Sequence, residues 1–268
     1  MSRPRPTTEA DVPLTVRRDE GCDDTAWDLI TDHGVGKGAS APDPEPPESL
    51  QLVCGPGGLS LVGRGPRRET LALHLDFVHG KQGYRLAHAP QSREDLVRAL
   101  GHLPRGAWIL DASGGLGRDS LVLAARGFRV TVLERHPVLA ALLADALRRA
   151  RSHEPLRPTL ERIELVHADA RAWLEHRETE FDAAVFDPMF PARAKDAAVK
   201  KEMRLLQQLL GPDADADASS TLDCLRRQVR RRVVVKRPLH APALGNQKPA
   251  YALRGRSTRF DAYLPTGT

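Results

Sequence analysis

At 268 residues, 41% of them apolar and 28% charged, the chain has room for one large α/β domain plus an appendage, with apolar content enough for a real core. The formal charge of +5 and a pI near 9.4 suggest an anionic partner, while the lack of an apolar N-terminal region, or of any run near roughly eighteen apolar residues, leaves secretion and membrane spanning unsupported. Cys22, Cys54 and Cys224 are odd in number, far apart and without C-x-x-C spacing, so they imply neither a disulfide framework nor a zinc site, and a reducing cytoplasm is the simplest compartment.

Residues 1–49 are rich in Pro, Gly, Asp and Glu, and APDPEPPES (41–49) reads as an extended linker, so the whole segment is expected to be a flexible, loosely held arm. From Leu50 the pattern changes to short β-like runs, LQLVC, LSLVG and TLALHLDFVHG, separated by glycine and proline turns. These predict a small β-rich subdomain over 50–90, closing with KQGYRLAHAP (81–90) as a loop that bears Lys81, Tyr84 and Arg85. A helix from about Ser92 to Leu100, with Ser92 as N-cap and Asp95 three residues on, opens the domain expected over 91–268.

The next stretch, 108–137, organises that domain. Trp108 to Leu110 is a buried strand, DASGGLG a glycine-rich turn, RDSLVLAARG a helix stopped by Gly127, and Arg129 to Leu133 a second buried strand ending on Glu134. This is one βαβ unit with a nucleotide-sized crevice at its carboxyl end. Pro137 can begin a helix without losing a needed N–H, and VLAALLADALRRA continues it. IELVH (163–167) predicts a third strand closed by Ala168 and Asp169, and FDAAVF (181–186) a fourth that runs into Asp187-Pro188-Met189-Phe190-Pro191. Lys195 to Leu210 predicts an amphipathic helix with an apolar stripe of Val199, Met203, Leu206 and Leu210, stopped by Gly211. A short helix around Leu222 to Val229, a fifth strand over Arg232 to Lys236, and a closing hairpin of Tyr251 to Arg254 with Arg259 to Leu264 complete the reading.

The glycine spacing separates two cofactor classes. A dinucleotide fingerprint needs a third glycine where Ser120 stands, which weakens a nicotinamide reading. An acidic residue, Asp111, ahead of Gly115 and Gly117, with Glu134 seventeen residues beyond, is instead similar to class I S-adenosylmethionine-dependent methyltransferases, in which the turn underlies the methionine portion and the second-strand carboxylate takes the ribose hydroxyls. DPMFP resembles the D/N-P-P-Y/F motif of enzymes that methylate an exocyclic amine of a nucleobase. The lone pair of such an amine is drawn into its ring, so acceptors that grip its hydrogens make the nitrogen more nucleophilic; Asp187 and the Pro188 carbonyl are the candidate acceptors, and Phe190 a stacking face. Arg118 and Asp119 are placed to reach the methionine end, Asp169 to meet the adenine amino group, and Arg135 to orient Glu134 or cover the adenine. The basic helix face with Lys200, Lys201 and Arg204, together with Lys236 and Arg237 after strand five, is a candidate RNA-backbone surface. The histidines are scattered, without paired ligand spacing, so no metal is expected.

DASGGLGRDSLVLAARG, VLERHPVLAALLADAL, FDPMFP, VKKEMRLLQQLLGPDAD, RVVVKRP and RFDAYLP together resemble the ribosomal RNA small subunit methyltransferase J family, from about Leu50 to Pro265. The resemblance implies a class I, Rossmann-like α/β methyltransferase fold with a mostly parallel seven-stranded sheet and flanking helices. It also implies S-adenosylmethionine-dependent methylation of the N2 of a guanosine near the 3′ end of 16S ribosomal RNA, the RNA or small subunit being the partner. Carried over by motif, cofactor contacts fall on Arg118, Asp119, Glu134, Arg135, Asp169, Ala170 and Asp187. Ser113 stands where threonine is usual, His136 replaces an asparagine, Ala170 takes a place expected to be small and polar, and 81–90 lacks the family's glycine-rich basic run. Competing readings are an amine methyltransferase with another base as target, a nicotinamide-linked oxidoreductase, and a basic assembly factor that kept the fold without the reaction. Oligomeric state stays open.

Overall fold

The structure, a computed structural model, describes residues 13–36, 49–88, 94–175, 180–189, 201–211 and 216–266. Ser92, Phe190, Val199 and Lys200 lie outside the described residues.

Two sheets organise the described residues. The first has four strands in the order β1 (Leu14–Arg18), β2 (Leu50–Gly55), β3 (Gly58–Arg64) and β4 (Thr70–His74). The runs at 50–74 form the expected antiparallel meander, and alternation in β4 turns Leu71 and Leu73 inward. Helix α1 (Asp24–Asp32) lies between β1 and β2 in sequence, and α2 (Gly80–His88) and α3 (Asp95–Leu100) lead into the second sheet.

That sheet is built from β5 (Trp108–Asp111), α4 (Arg118–Ala125), β6 (Arg129–Glu134), α5 (Pro137–Arg151), α6 (Arg157–Leu160), β7 (Ile163–His167), α7 (Ala170–Glu175), β8 (Phe181–Phe186), α8 (Lys201–Leu210), α9 (Ala218–Arg227), β9 (Val229–Pro238), β10 (Tyr251–Arg254) and β11 (Thr258–Tyr263). Its order is β10-β11-β9-β8-β5-β6-β7, with β5 to β9 parallel and β11 reversed, which is the mostly parallel seven-stranded α/β architecture expected. Strand order reverses at β5, which pairs with β6 on one side and β8 on the other; that switch point leaves a crevice at the carboxyl ends of these strands. Period-two alternation divides the core: Ile109, Val130, Val132, Ala183, Val185 and Val234 face the layer of α3, α4, α5 and the first sheet, whereas Leu110, Leu133, Ala184, Phe186, Val233 and Val235 face α7 and α9.

The structure departs from the sequence reading in four places. Part of the expected arm is folded: β1 extends the first sheet, in parallel register from Leu14 opposite Leu50 to Arg18 opposite Cys54, and α1 buries Ala26 and Ile30. That pairing brings Cys22 to Cys54, and the two form a disulfide, contrary to the expectation from spacing. Of the 81–90 stretch expected as a loop, residues 81–88 are helical. They belong to α2, whose entry is fixed by Asp76 accepting from the N–H groups of Val78 (2.9 Å) and His79 (3.0 Å), and whose Leu86 is buried. Finally, the buried positions of α8 are Leu205 and Leu206, while Met203 is exposed, so the stripe is rotated from the one expected.

Candidate functional site

The crevice holds a cavity of about 500 Å³. Its floor is the turn between β5 and α4, and one carboxylate shapes that turn. Asp111 is buried; its Oδ1 accepts from the Ser113 N–H at 3.1 Å and its Oδ2 from the Ser120 hydroxyl. Burial, with the nearby charges of Asp119 and Asp187, outweighs these hydrogen bonds and lifts its pKa to about 6. Ser120, which breaks the dinucleotide fingerprint, is thus committed to holding the turn. Gly115 and Gly117 have positive φ (+50° and +69°), and a Cβ on Gly114 would come within 2.8 Å of Val132 Cγ1 and 3.2 Å of the Leu133 carbonyl. Gly115 lines the cavity; Gly117 lies behind it, where a Cβ would strike Leu143.

Glu134, at the end of β6, is buried with both carboxylate oxygens engaged, Oε2 by the Gly115 N–H at 2.6 Å and Oε1 by the His136 N–H at 2.7 Å. Burial raises its pKa despite these bonds. His136 caps α5 by accepting from the Val138 N–H at 3.2 Å, a capping role that asparagine can also fill. A neutral ring is required for that, and burial, His167 and Arg135 hold its pKa down to about 4. Asp169 caps α7 through Oδ1, which accepts from Arg171 and Ala172, while Arg135 sits 3.7 Å from its Oδ2 and 3.1 Å from Asp217. Ala170 is buried and lines the cavity, so only its small side chain and backbone are presented.

On the far side, β8 ends at Asp187, whose N–H donates to Ser113 Oγ at 2.7 Å. Lys236, on β9, donates to Asp187 Oδ2 at 2.7 Å and to Asp119 Oδ2 at 2.9 Å. Burial alone would raise the Asp119 pKa, but Lys236, and after it Arg85 at 3.4 Å, hold it below the ordinary carboxylate range. Burial likewise works against the lysine cation, yet the two aspartates raise its pKa. Arg85 in turn makes a two-pronged pair with Glu94, both contacts at 3.0 Å. Arg118 reaches across to Glu202 of α8 at 2.6 Å, so Arg118 and Asp119, adjacent in sequence, face different partners. Pro188 is buried and Met189 lines the cavity wall.

The crevice therefore brings together Asp111, Gly115, Arg118, Asp119, Glu134, Arg135, Asp169, Ala170 and Asp187. The RNA-surface candidates separate. Lys201 is exposed and Arg204 half-buried on α8, but Lys236 points into the cavity and Arg237 is buried, its guanidinium donating twice to the Pro242 carbonyl (3.1 and 2.6 Å). A guanidinium spent on an internal carbonyl is not on a surface that phosphates can reach. Sequence reading set Lys236 on the RNA surface rather than in the cavity, named Arg85 only as a loop residue, and did not single out Glu202 and Asp217, the partners of Arg118 and Arg135. Only Lys236 left a signal, its place just past a valine run at the end of a parallel strand, where ligands bind.

The SAM_MT family model, of SAM-dependent methyltransferases, matches residues 42–265. The ribosomal RNA small subunit methyltransferase J of Thioalkalivibrio sulfidiphilus is 44% identical over 218 residues, covering 80% of this chain and 84% of that protein. The protein of the same name from Alteromonas mediterranea is 36% identical over 255 residues, covering 94% and 97%. The crystal structure of a SAM-dependent methyltransferase from Neisseria gonorrhoeae superposes with a TM-score of 0.71 at 30% identity, over 95% of this chain and 97% of that one. By family model and by relatives matched over most of both chains, the chain belongs to the ribosomal RNA small subunit methyltransferase J family of S-adenosylmethionine-dependent methyltransferases.

Proposed function

We propose that the chain methylates the exocyclic N2 of a guanosine near the 3′ end of 16S ribosomal RNA, in the cytoplasm, with the RNA or the small subunit as its partner. One observation carries the reading: Glu134 at the end of β6 and Asp187 at the end of β8 line one cavity together with the turn whose Gly114 and Gly115 bring bare backbone to it. The names of the relatives supply the small-subunit RNA, and the family resemblance supplies the base and the atom.

The residues present fit the cofactor. A cavity of about 500 Å³ is within the usual size of small-molecule sites, and its carboxylates, Asp111, Asp119, Glu134 and Asp187, suit a ligand that carries positive charge. Gly115 would underlie the methionine portion, Arg118 and Asp119 would address its charged end, and Glu134 the ribose. Asp169, Ala170 and Arg135 would surround the adenine. S-adenosylmethionine supplies a methyl group already activated on a sulfonium. What the chain adds is grip on the acceptor: Asp187 and the Pro188 carbonyl accept the hydrogens of N2 and draw its lone pair out of the ring, and Phe190, by its place in the motif, stacks on the base. The proton that N2 loses on methylation leaves by way of Asp187, since Lys236 is already protonated.

The test is transfer of labelled methyl to small-subunit RNA, free or in particles, from a strain lacking the protein, with the modified nucleoside identified by mass. N2-methylguanosine is expected. Another methylated nucleoside would retire the guanine assignment, and no transfer to any small-subunit substrate would retire the RNA one.

A further inference from the structure

We propose that Lys236 is a positioning residue of the reaction, a clamp that keeps Asp187 ionised and fixes the rotation of its carboxylate toward the incoming amine. The proposal rests on the reading of Asp187 as the acceptor at N2. It replaces the phosphate-contact role that the position of Lys236 after a basic-rich strand suggested.

The geometry is a bridge. The ammonium lies 2.7 Å from Asp187 Oδ2 and 2.9 Å from Asp119 Oδ2, and the lysine side chain is 32% exposed, so most of its length is covered by the cavity wall. Two carboxylates from different elements, the end of β8 and the first turn of α4, are thereby tied to one cation on β9. Without it they would face each other and the buried Asp111, and among the described residues the other cation beside them, Arg85, 3.4 Å from Asp119, is already paired with Glu94. Like charges so placed share protons, and a protonated Asp187 is a poorer acceptor for an amine hydrogen. Among the described residues, the charged groups facing this cluster are Asp111 from β5, Asp119 from α4, Arg85 from α2, Asp187 from the end of β8 and Lys236 itself from β9. The bridge also links the two halves of the site, because Asp119 neighbours Arg118 at the proposed methionine end while Asp187 addresses the base. A phosphate contact would need an ammonium open to solvent; this one is committed to two carboxylates.

The experiment compares Lys236→Met and Lys236→Arg with the unaltered protein in three measurements. Carboxyl carbon NMR titration of the cofactor-free protein should find Asp187 or Asp119 raised by at least one pH unit in Lys236→Met and restored in Lys236→Arg. In methyl transfer, kcat of Lys236→Met should fall about 10²-fold with KM for RNA within about twofold, the acid limb of its pH profile should move upward, and Lys236→Arg should recover at least tenfold. RNA binding should keep its salt dependence. Unchanged carboxyl titrations would overturn the proposal, as would a unit decrease in the salt slope with kcat retained, the mark of a lost phosphate contact. Failure of the guanine reading is told apart because it changes the nucleoside methylated, or abolishes transfer by the unaltered protein, and leaves the carboxyl titrations to decide on Lys236.

Discussion

Asp111→Asn tests whether the floor of the cavity holds a carboxylate at a cost to the fold. The carboxylate accepts from Ser113 N–H and from the Ser120 hydroxyl, and asparagine can keep both links if its amide oxygen serves Ser113 and the Ser120 hydroxyl turns to accept from its amide nitrogen. What asparagine cannot do is ionise. Burial raises the Asp111 pKa from an ordinary 3.8 to about 6, so its contribution to stability is complete below the unfolded pKa and is lost as pH rises through the folded one. At 1.36 kcal/mol per pH unit the loss reaches about 3 kcal/mol by pH 8. Urea unfolding of both proteins between pH 4 and pH 8 should therefore find the stability of the asparagine variant, relative to the parent, rising by about 2 kcal/mol across that range, the rest of the loss lying below pH 4, with most of the change complete by pH 6.5. A difference between the two that stays constant within about 0.5 kcal/mol would refute the reasoning, since it would mean that the two hydrogen bonds already offset the burial of the charge.

Three further outcomes follow from the geometry. Gly114→Ala puts a methyl group 2.8 Å from Val132 Cγ1 and 3.2 Å from the Leu133 carbonyl, so the turn must shift, and calorimetry should find S-adenosylmethionine bound at least tenfold more weakly. Asp187→Ala should cut methyl transfer about 10²- to 10³-fold while binding of small-subunit RNA stays within about twofold, measured by filter retention. Asp145, with no side-chain exposure, accepts from the Leu59 N–H (2.9 Å), Arg148 (2.9 Å) and Arg149 (2.8 Å), tying α5 to the first sheet. Its replacement by alanine should cost about 3 kcal/mol in chemical denaturation, at the lower end for a broken buried pair because both arginines keep partial access to water, and hydrogen exchange should quicken first at β3.

The parallel strands were readable because burial on both faces leaves nearly unbroken apolar runs, as in WILD, RVTVLE and FDAAVF, each bounded by glycine or a charged residue at the crevice. The turn was readable because glycine is the residue that its positive φ at Gly115 and Gly117 favours, a local constraint, although the close neighbours of Gly114 and Gly117 come from β6 and α5. What depended on distant partners was not. β1 is only five residues long and gains its meaning from pairing with Leu50 to Cys54 across a linker, and the Cys22–Cys54 disulfide follows from that pairing. Helix α2 carries two glycines and a single buried leucine, too little for a period to emerge, and Gly83 lies where a Cβ would strike the Val78 carbonyl. Lys236 and Arg237 show the limit most clearly. Adjacent and both basic, they read as one patch, yet a strand turns successive side chains to opposite faces, so one enters the cavity and the other the packing around Pro242.

That separation bears on how an RNA polyanion approaches a site whose walls are acidic. Asp111, Asp119, Glu134 and Asp187 line the cavity against Lys236, Arg118 and Arg135, and each of these cations is paired with a carboxylate: Lys236 with Asp119 and Asp187, Arg118 with Glu202, Arg135 with Asp217. A phosphate drawn into such a space would meet carboxylates before it met an uncommitted cation, whereas the edge of a base, with amine hydrogens to donate, meets acceptors. On the proposed reading, in which Asp187 receives the base, such walls favour the part of a nucleotide that reacts and repel the part that carries charge, so the backbone is expected to be held at the rim. Of the five basic residues first considered for that task, Lys201 and Arg204 on α8 keep a place outside the carboxylate network, on the helix whose Met203, Leu206 and Leu210 form one wall of the cavity. Charge reversal at Lys201 and Arg204 should accordingly weaken RNA binding and flatten its salt dependence without altering the carboxyl titrations inside, the opposite pattern to that expected for Lys236.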